Sequence, residues 1–475
     1  MWWLNQKLKD IKTYLKQNLV FNKINKFVSN EMKLHQKLFW LLVFLLPLQL
    51  GRHFWPPSSL ILGLKVDYLA PTVYLTDILV VGILGLWFYE RIGNWHSEGI
   101  PRSGQLEIGN YLKRYWWVLT IFIYLLTNAL LAQNQGAALY KFVKIIELTL
   151  LGLYVAKNTS IPKESREAGI SQYPSILISS EARNKGFLIS LSLAVIYSSL
   201  IALAQFIKQA SLGGAFWWLG ERTFNVATPG IAKAIINGQL IMRPYGTFPH
   251  PNVLAGFVLV ALILISSPVE NLSLLKKGVR LSAFILGILA IVVSFSRSVW
   301  LVGPILFPLF LWRSKMKKKL FWLTTGVLLV VLTMFFYLLP HFSTNEAFFQ
   351  RWQLMKTAGL MIKNAPLTGV GLNNFIVRLP DYWPVTGFTY WLQPVHNLYL
   401  LLLSETGVVG FLIFLWLLIL VFKRLLKSSL VANFSLLMAL MAILLLGLTD
   451  HYWLTLQQGQ FLLALILGLA WSSKI

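Results

Sequence analysis

LSAFILGILAIVVSFSRSVWLVGPILFPLFLW, residues 281–312, is an apolar run of 32 residues. A bilayer core takes roughly 20 residues per helix, so the run is too long for one span without strong tilt and short for two. The flanks decide between them. KKGVR (276–280) precedes the run and RSKMKKK (313–319) follows it, and clustered Lys and Arg mark the cytoplasmic side. Both ends therefore lie inside, and the run is expected to be a hairpin with its tip near Ser294–Trp300. Arg297 then points outward.

The rest of the chain fits the same medium. Of its 475 residues 56% are hydrophobic and 12% charged, with a mean hydropathy of +0.65, against about 25% charged in soluble domains. Apolar segments stand near 36–50, 72–90, 115–132, 137–156, 186–208, 252–267, 281–296, 298–312, 320–340, 397–422, 430–449 and 454–472. The expected fold is an all-α integral membrane protein of about 12 transmembrane helices with both termini cytoplasmic. Twenty-nine of the 42 Lys and Arg then fall inside and eleven outside, which agrees with the positive-inside bias. The net charge of +25 thus marks topology and contact with anionic membrane lipids, and no nucleic-acid partner is expected. There is no cysteine, which excludes disulfides, thiolate metal sites and a cysteine nucleophile.

Residues 1–35 read as a cytoplasmic, basic segment. Leu4, Leu8, Ile11 and Leu15 share one helical face with lysines on the others, the pattern of a helix lying on the membrane surface; a disordered basic leader is the alternative. No cleavable signal is expected there. Residues 36–475 read as a single transmembrane domain with two long outward loops, 209–251 and 341–396, rich in aromatic residues, Gly, Pro and Asn. Five of the seven histidines (His53, His250, His341, His396 and His451) fall on the outer side, so any chemistry is expected to face outward.

Three places could carry it. Arg297 lies at the tip of an apolar hairpin, where an arginine costs about 2.5–3.5 kcal/mol at depth; it either snorkels to headgroups or forms an anion site, since guanidinium presents a planar fork of donors to phosphate. Arg351 lies in FFQRWQLMKTAGLMIKNAPLTGVGLNNF (348–375), where Phe348, Arg351, Leu354, Met355 and Leu360 suggest an amphipathic surface helix. It is an anion ligand or a solvated charge. Gly369 and Gly371 could turn backbone N–H groups toward an anion, though a lone GxG is weak. His396 opens HNLYLLLLSETGVVG (396–410) and is the clear acid/base candidate, or else a structural hydrogen-bonder. Glu405 falls two and a half turns further on, roughly opposite and deeper. Lys144 and Glu147, three apart on one span, most simply neutralise each other. His250, His341, His396 and His451 could converge on a metal, but no HExxH or close ligand pair exists, so no metal and no cofactor is expected.

RPYGTFPHPNVLAG (243–256), FSRSVWL (295–301), PLTGVGLNNF (366–375) and HNLYLLLLSETGVVG, in that order and spacing, resemble the O-antigen ligase and polymerase superfamily. The resemblance implies a membrane-embedded glycosyltransferase fold of the C type, a GT-C-like bundle in the bacterial cytoplasmic membrane. It implies transfer of glycan from an undecaprenyl-pyrophosphate-linked donor to a glycan, lipid or protein acceptor hydroxyl on the outer face, without a metal. It implies catalytic roles for Arg297, Arg351 and His396. Arg243, His250 and Asn252 belong to a motif common to many members, and with Asn373, Asn397 and Glu405 are expected to contact substrate. Attack opposite the pyrophosphate would invert the anomeric centre. Phe216, Trp217 and Trp218 are expected to pack against sugar or polyprenyl chain. A polymerase of the same superfamily is the close alternative. A secondary transporter using Lys141, Lys144 and Glu147 as buried ions is the distant one.

Overall fold

The computed structural model describes residues 33–97, 103–159, 174–236, 238–267, 272–313, 326, 345–383, 392–427 and 431–472. The surface helix expected within 1–35, His341 and, Gly326 apart, the span expected at 320–340 lie outside them. The described residues are mostly helical: α1 (Leu34–Phe44), α2 (Leu75–Ser97), α3 (Ser103–Leu130), α4 (Gln135–Thr159), α5 (Pro174–Lys208), α6 (Pro251–Ile265), α7 (Leu274–Val293), α8 (Arg297–Arg313), α9 (Asn345–Asn364), α10 (Phe375–Tyr382), α11 (Leu398–Lys427), α12 (Val431–Leu446), α13 (Tyr452–Thr455) and α14 (Gln457–Ser472). Each of the other eleven expected spans falls on one of these helices. By length and composition alone, Gly186–Lys208 and Leu398–Lys427 are apolar enough to cross a membrane.

The helices pack where small residues let them approach. α14 lies along α4, and a side chain at Gly468 would strike the carbonyl of Gly152. Behind them α5, α6, α7 and α12 bury Val195, Val258, Ala290 and Ala439 in one continuous core. The long connections add three two-stranded antiparallel ladders, and Lys233–Ile236 pairs with Gln239–Met242 inside loop 209–251.

The 281–312 run divides as its charges require. α7 ends at Val293 and α8 begins at Arg297, with Phe295 between them at φ 50°, a left-handed conformation uncommon for a bulky residue. The turn is held by Ser294, whose Oγ donates to the Ile291 carbonyl and accepts the Ser296 N–H at 3.2 Å. Both helices then pack on α6.

On α9 the buried stripe is Leu354, Thr357, Ala358 and Met361, set against Phe375, Ile376 and Leu379 of α10. The expectation that Met355 and Leu360 share that face is corrected: they are 40% and 47% exposed. Steps of three and four from Leu354 return to one face, whereas steps of one and six do not.

α11 is interrupted by a non-helical residue. Gly407 adopts φ 62°, ψ −172° in mid-helix, a region essentially reserved for glycine. The kink frees the Ser404 and Glu405 carbonyls, which accept the Val370 and Gly371 N–H groups at 2.8 and 3.0 Å. In exchange, Val408 and Val409 N–H donate to the Pro366 and Leu367 carbonyls at 2.8 and 3.3 Å. Asn128 clamps the same loop, donating to Thr368 O and accepting Leu372 N–H, each at 2.7 Å. The PLTGVGLNNF and SETGVVG stretches are therefore two halves of one joint. Their glycines permit close backbone contact, and the N–H groups of Gly369, Val370 and Gly371 are taken up by carbonyls, so the anion reading of this GxG is set aside.

Candidate active site

The RPYGTFPHPN stretch reaches the site as a pinned strap. Tyr245 and Gly246 N–H donate to Gln205 Oε1 at 3.0 and 2.8 Å, and Thr247 Oγ1 donates to the Pro47 carbonyl at 2.7 Å. Pro251 occupies the first turn of α6, where its missing N–H leaves nothing unpaired. His250 caps that helix, its Nδ1 accepting the Asn252 N–H at 3.1 Å. Arg243 turns back across the strap: Nε donates to Ser294 O at 2.7 Å and a terminal nitrogen to Asn252 Oδ1 at 2.6 Å. It thereby places a cation at the carboxyl end of α7, where the helix dipole favours one.

Asn252 passes the connection on. Its Nδ2 donates to Asp450 Oδ2 at 3.4 Å, while Asp450 Oδ1 accepts the His451 N–H at 2.9 Å. The rings of His396 and His451 meet edge to face with centroids 5.3 Å apart, and Tyr68 also meets His451 edge to face at 5.6 Å. His451 Nδ1 shares a 2.7 Å hydrogen bond with Thr455 Oγ1. Segments from the strap, the α7–α8 turn, the start of α11 and the α12–α13 turn thus meet at one point.

Electrostatics binds the two remaining arginines to this point. The charge of Arg351 acts on Arg243, His250, Arg297, His396, Asp450 and His451. Arg297 and Arg351 are themselves exposed, so their donors are open to a ligand, whereas Nε and one terminal nitrogen of Arg243 are engaged. Burial and nearby cations pull His250 down to about 3. Burial, resisted by Asp450, pulls His451 down to about 3. His396 is lowered by burial, against Asp450, with a further push from Arg351. At neutral pH all three imidazoles are uncharged. Burial raises Asp450, but protonation of the neighbouring histidines and the Arg351 cation favour its charged form, and the net shift is downward, so at neutral pH the group is a carboxylate. Burial brings Arg243 down to about 10, and it stays cationic.

The sequence-derived candidates divide accordingly. Arg243, His250, Asn252, Arg297, Arg351 and His396 are brought together. Asn373 donates to the carbonyls of Tyr68 and Ala137 at 3.3 and 3.4 Å. Asn397 caps α11 through Leu400 N–H and donates to Leu448 O at 2.9 Å. Glu405 accepts the Phe375 N–H at 3.3 Å inside the α11 joint, where its expected contact with substrate gives way to a backbone contact. Phe216, Trp217 and Trp218 are exposed on a 3-10 turn. Lys144 pairs with Glu147 at 2.9 Å as expected, and also with Asp77 at 2.7 Å. Among the described residues no group of three or more His, Cys, Asp and Glu side chains is placed to hold a metal ion. Asp450 was missed. Its signal is present in LTDHYWL (448–454), a carboxylate in a short turn of a chain with 17 acidic residues.

Residues 282–415 match the family model described as O-antigen ligase. The chain carries an O-antigen ligase domain. That domain holds Arg297, Arg351 and His396, while Arg243, His250, Asn252 and Asp450 stand outside the matched stretch and complete its cluster from either side. An O-antigen ligase domain goes with ligase-like membrane glycosyltransferase activity on lipid-linked glycan. Comparison with curated proteins gives no match.

Proposed function

We propose that this chain is an inverting, metal-independent O-antigen ligase-type glycosyltransferase with about twelve membrane spans, working at the outer face of the bacterial cytoplasmic membrane. It takes glycan from undecaprenyl pyrophosphate and delivers it to an acceptor hydroxyl. The observation that carries the reading is the convergence of Arg243, Arg297 and Arg351 on neutral histidines around one buried carboxylate.

The pyrophosphate is held by the exposed forks of Arg297 and Arg351. Arg297 is the first residue of α8, where the helix dipole disfavours a cation and favours an anion; a bound phosphate resolves that conflict, with the N-terminal N–H groups adding donors. As the sugar C1–O bond breaks, the electron pair moves onto the leaving phosphate oxygen, and the fixed guanidinium groups stabilise the charge that grows there. Arg243 acts behind them, holding the strap to the α7–α8 turn.

His396 supplies the base. Its Nδ1 is buried with no hydrogen-bond partner among the described residues, and its lowered pKa keeps it proton-free at neutral pH. The attacking hydroxyl gives its proton to this imidazole as its oxygen bonds to C1, from the face opposite the pyrophosphate. The imidazolium so formed is stabilised by Asp450, as a carboxylate steadies a catalytic histidine elsewhere.

The test is surface glycan display in cells lacking the native gene, complemented with wild type, Arg297→Ala, Arg351→Ala or His396→Ala at matched membrane levels. Wild type is expected to restore long surface polysaccharide, and the variants to leave full-length chains on the lipid carrier. Single repeat units left there instead would make the enzyme a polymerase. Normal display by all three variants would overturn the site.

A further inference from the structure

Behind the histidine cluster lies a cavity of about 140 Å³, and none of Arg243, Arg297, Arg351 or His396 lines it. It touches the cluster through Tyr68, the edge-on neighbour of His451, and through Thr455, its hydrogen-bond partner. At 10–15 Å³ per water centre it has room for about ten waters, close to the heavy atoms of one pyranose ring.

Its walls combine aromatic faces with uncharged polar ends: Gln49, His53, Tyr68, Tyr140, Gln457 and Gln460 all contribute. Its cations are already occupied. Lys144 is paired with Asp77 and Glu147, Lys141 donates to the Leu454 carbonyl, and Arg222 faces Asp67 at 3.7 Å. Gln49 Oε1, by contrast, is buried with no hydrogen-bond partner among the described residues, and an unpaired buried acceptor is costly until a donor reaches it. The glycine at 220 lies so close over Gln49 that a side chain there would strike the Gln49 backbone, so loop 209–251 roofs this end of the cavity and brings Arg222 into its wall.

We infer that this cavity is a carbohydrate subsite for one uncharged pyranose unit of the acceptor, an assignment that rests on the glycosyltransferase reading. The arginines claim the donor's pyrophosphate at one end of the path Arg243–Asn252–Asp450–His451, and the cavity opens at the other end. A sugar seated there lies against Tyr68 and Thr455, two side chains that touch His451, so an acceptor chain held by this unit extends past them toward the histidines. A ring hydroxyl satisfies Gln49 Oε1, and the tyrosines cover the ring face.

The experiment uses the full chain in detergent micelles and saturation-transfer NMR with four probes: methyl β-glucopyranoside, methyl N-acetyl-β-glucosaminide, methyl β-glucuronide and inorganic pyrophosphate. At least one neutral glycoside is expected to bind, about tenfold more weakly to Gln49→Leu and to Ala70→Leu, which fills the cavity wall, and unchanged to Arg351→Ala. Gln49→Leu keeps the side-chain volume and so covers the case in which Ala70→Leu does not fold. The inference is overturned if neither neutral glycoside binds, if only the glucuronide binds, or if wild type and Gln49→Leu bind alike. Pyrophosphate reports separately: loss of its binding in Arg351→Ala but not in Gln49→Leu supports the donor site, and its failure to bind wild type sinks the donor reading whatever the glycosides do.

Discussion

Asn252 and Asp450, 198 residues apart in sequence, share a 3.4 Å hydrogen bond that couples the strap to the histidine turn. The bond makes Asp450 more than a local charge. It fixes the carboxylate against both the arginine side, through Arg243, and the imidazole side, through His451.

Asp450→Asn keeps the shape of the side chain and removes its charge. Glycan transfer is expected to fall on the order of 10²-fold or more, since the imidazolium loses its counter-charge. Combined with His396→Ala the loss should be no greater than with His396→Ala alone, because residues acting as a unit are not additive. Additive losses in transfer assays would separate Asp450 from the base.

The three arginines should divide by consequence. Arg297→Ala and Arg351→Ala remove exposed donors, each expected to cost about 10²–10³-fold in turnover with an unchanged melting midpoint in micelles. Arg243→Ala also removes hydrogen bonds to Ser294 O and Asn252, and should lower that midpoint as well as activity. Equal midpoints for all three would remove the anchoring role given to Arg243.

Acid should weaken the fold through its histidines. His250 and His451 stand at about 3 in the folded chain against about 6.5 when unfolded. Between those values the unfolded chain holds more protons, so stability is full above about pH 6.5 and declines as pH falls toward 3. Thermal melts from about pH 7 to about pH 4.5 should show a steady fall in midpoint. The acid limb of transfer should fall below the ordinary histidine value, because burial lowers His396 too. A loss of activity already complete at pH 6.5 would contradict a neutral base.

Gly407→Ala tests the joint rather than the chemistry. With φ at 62° and ψ at −172° a methyl group costs about 1–3 kcal/mol of strain, and it would also meet Leu367 and Thr368. Lower membrane yield and melting midpoint are expected, with pyrophosphate binding retained in whatever folds.

Charge patterning made much of this legible. Lysines flanking 281–312 placed the turn at Arg297, and the long aromatic loops with stray arginines and His396 pointed to the candidate site. What stayed hidden depends on contacts between distant segments. Asp450 looks like a minor loop residue until Asn252 is beside it. The glycines of 369–371 suggest an anion cradle until the kinked α11 takes up the neighbouring N–H groups. On α9, alternative apolar stripes were available, and only α10 chose between them.

The convergence of residues 243, 297, 351, 396 and 450 also sets an order of assembly. In chain order the three arginines come first, His396 follows at the head of α11, and its counter-charge Asp450 comes only in the turn before the last helices. A nascent chain can therefore gather an anion site long before it is able to transfer anything.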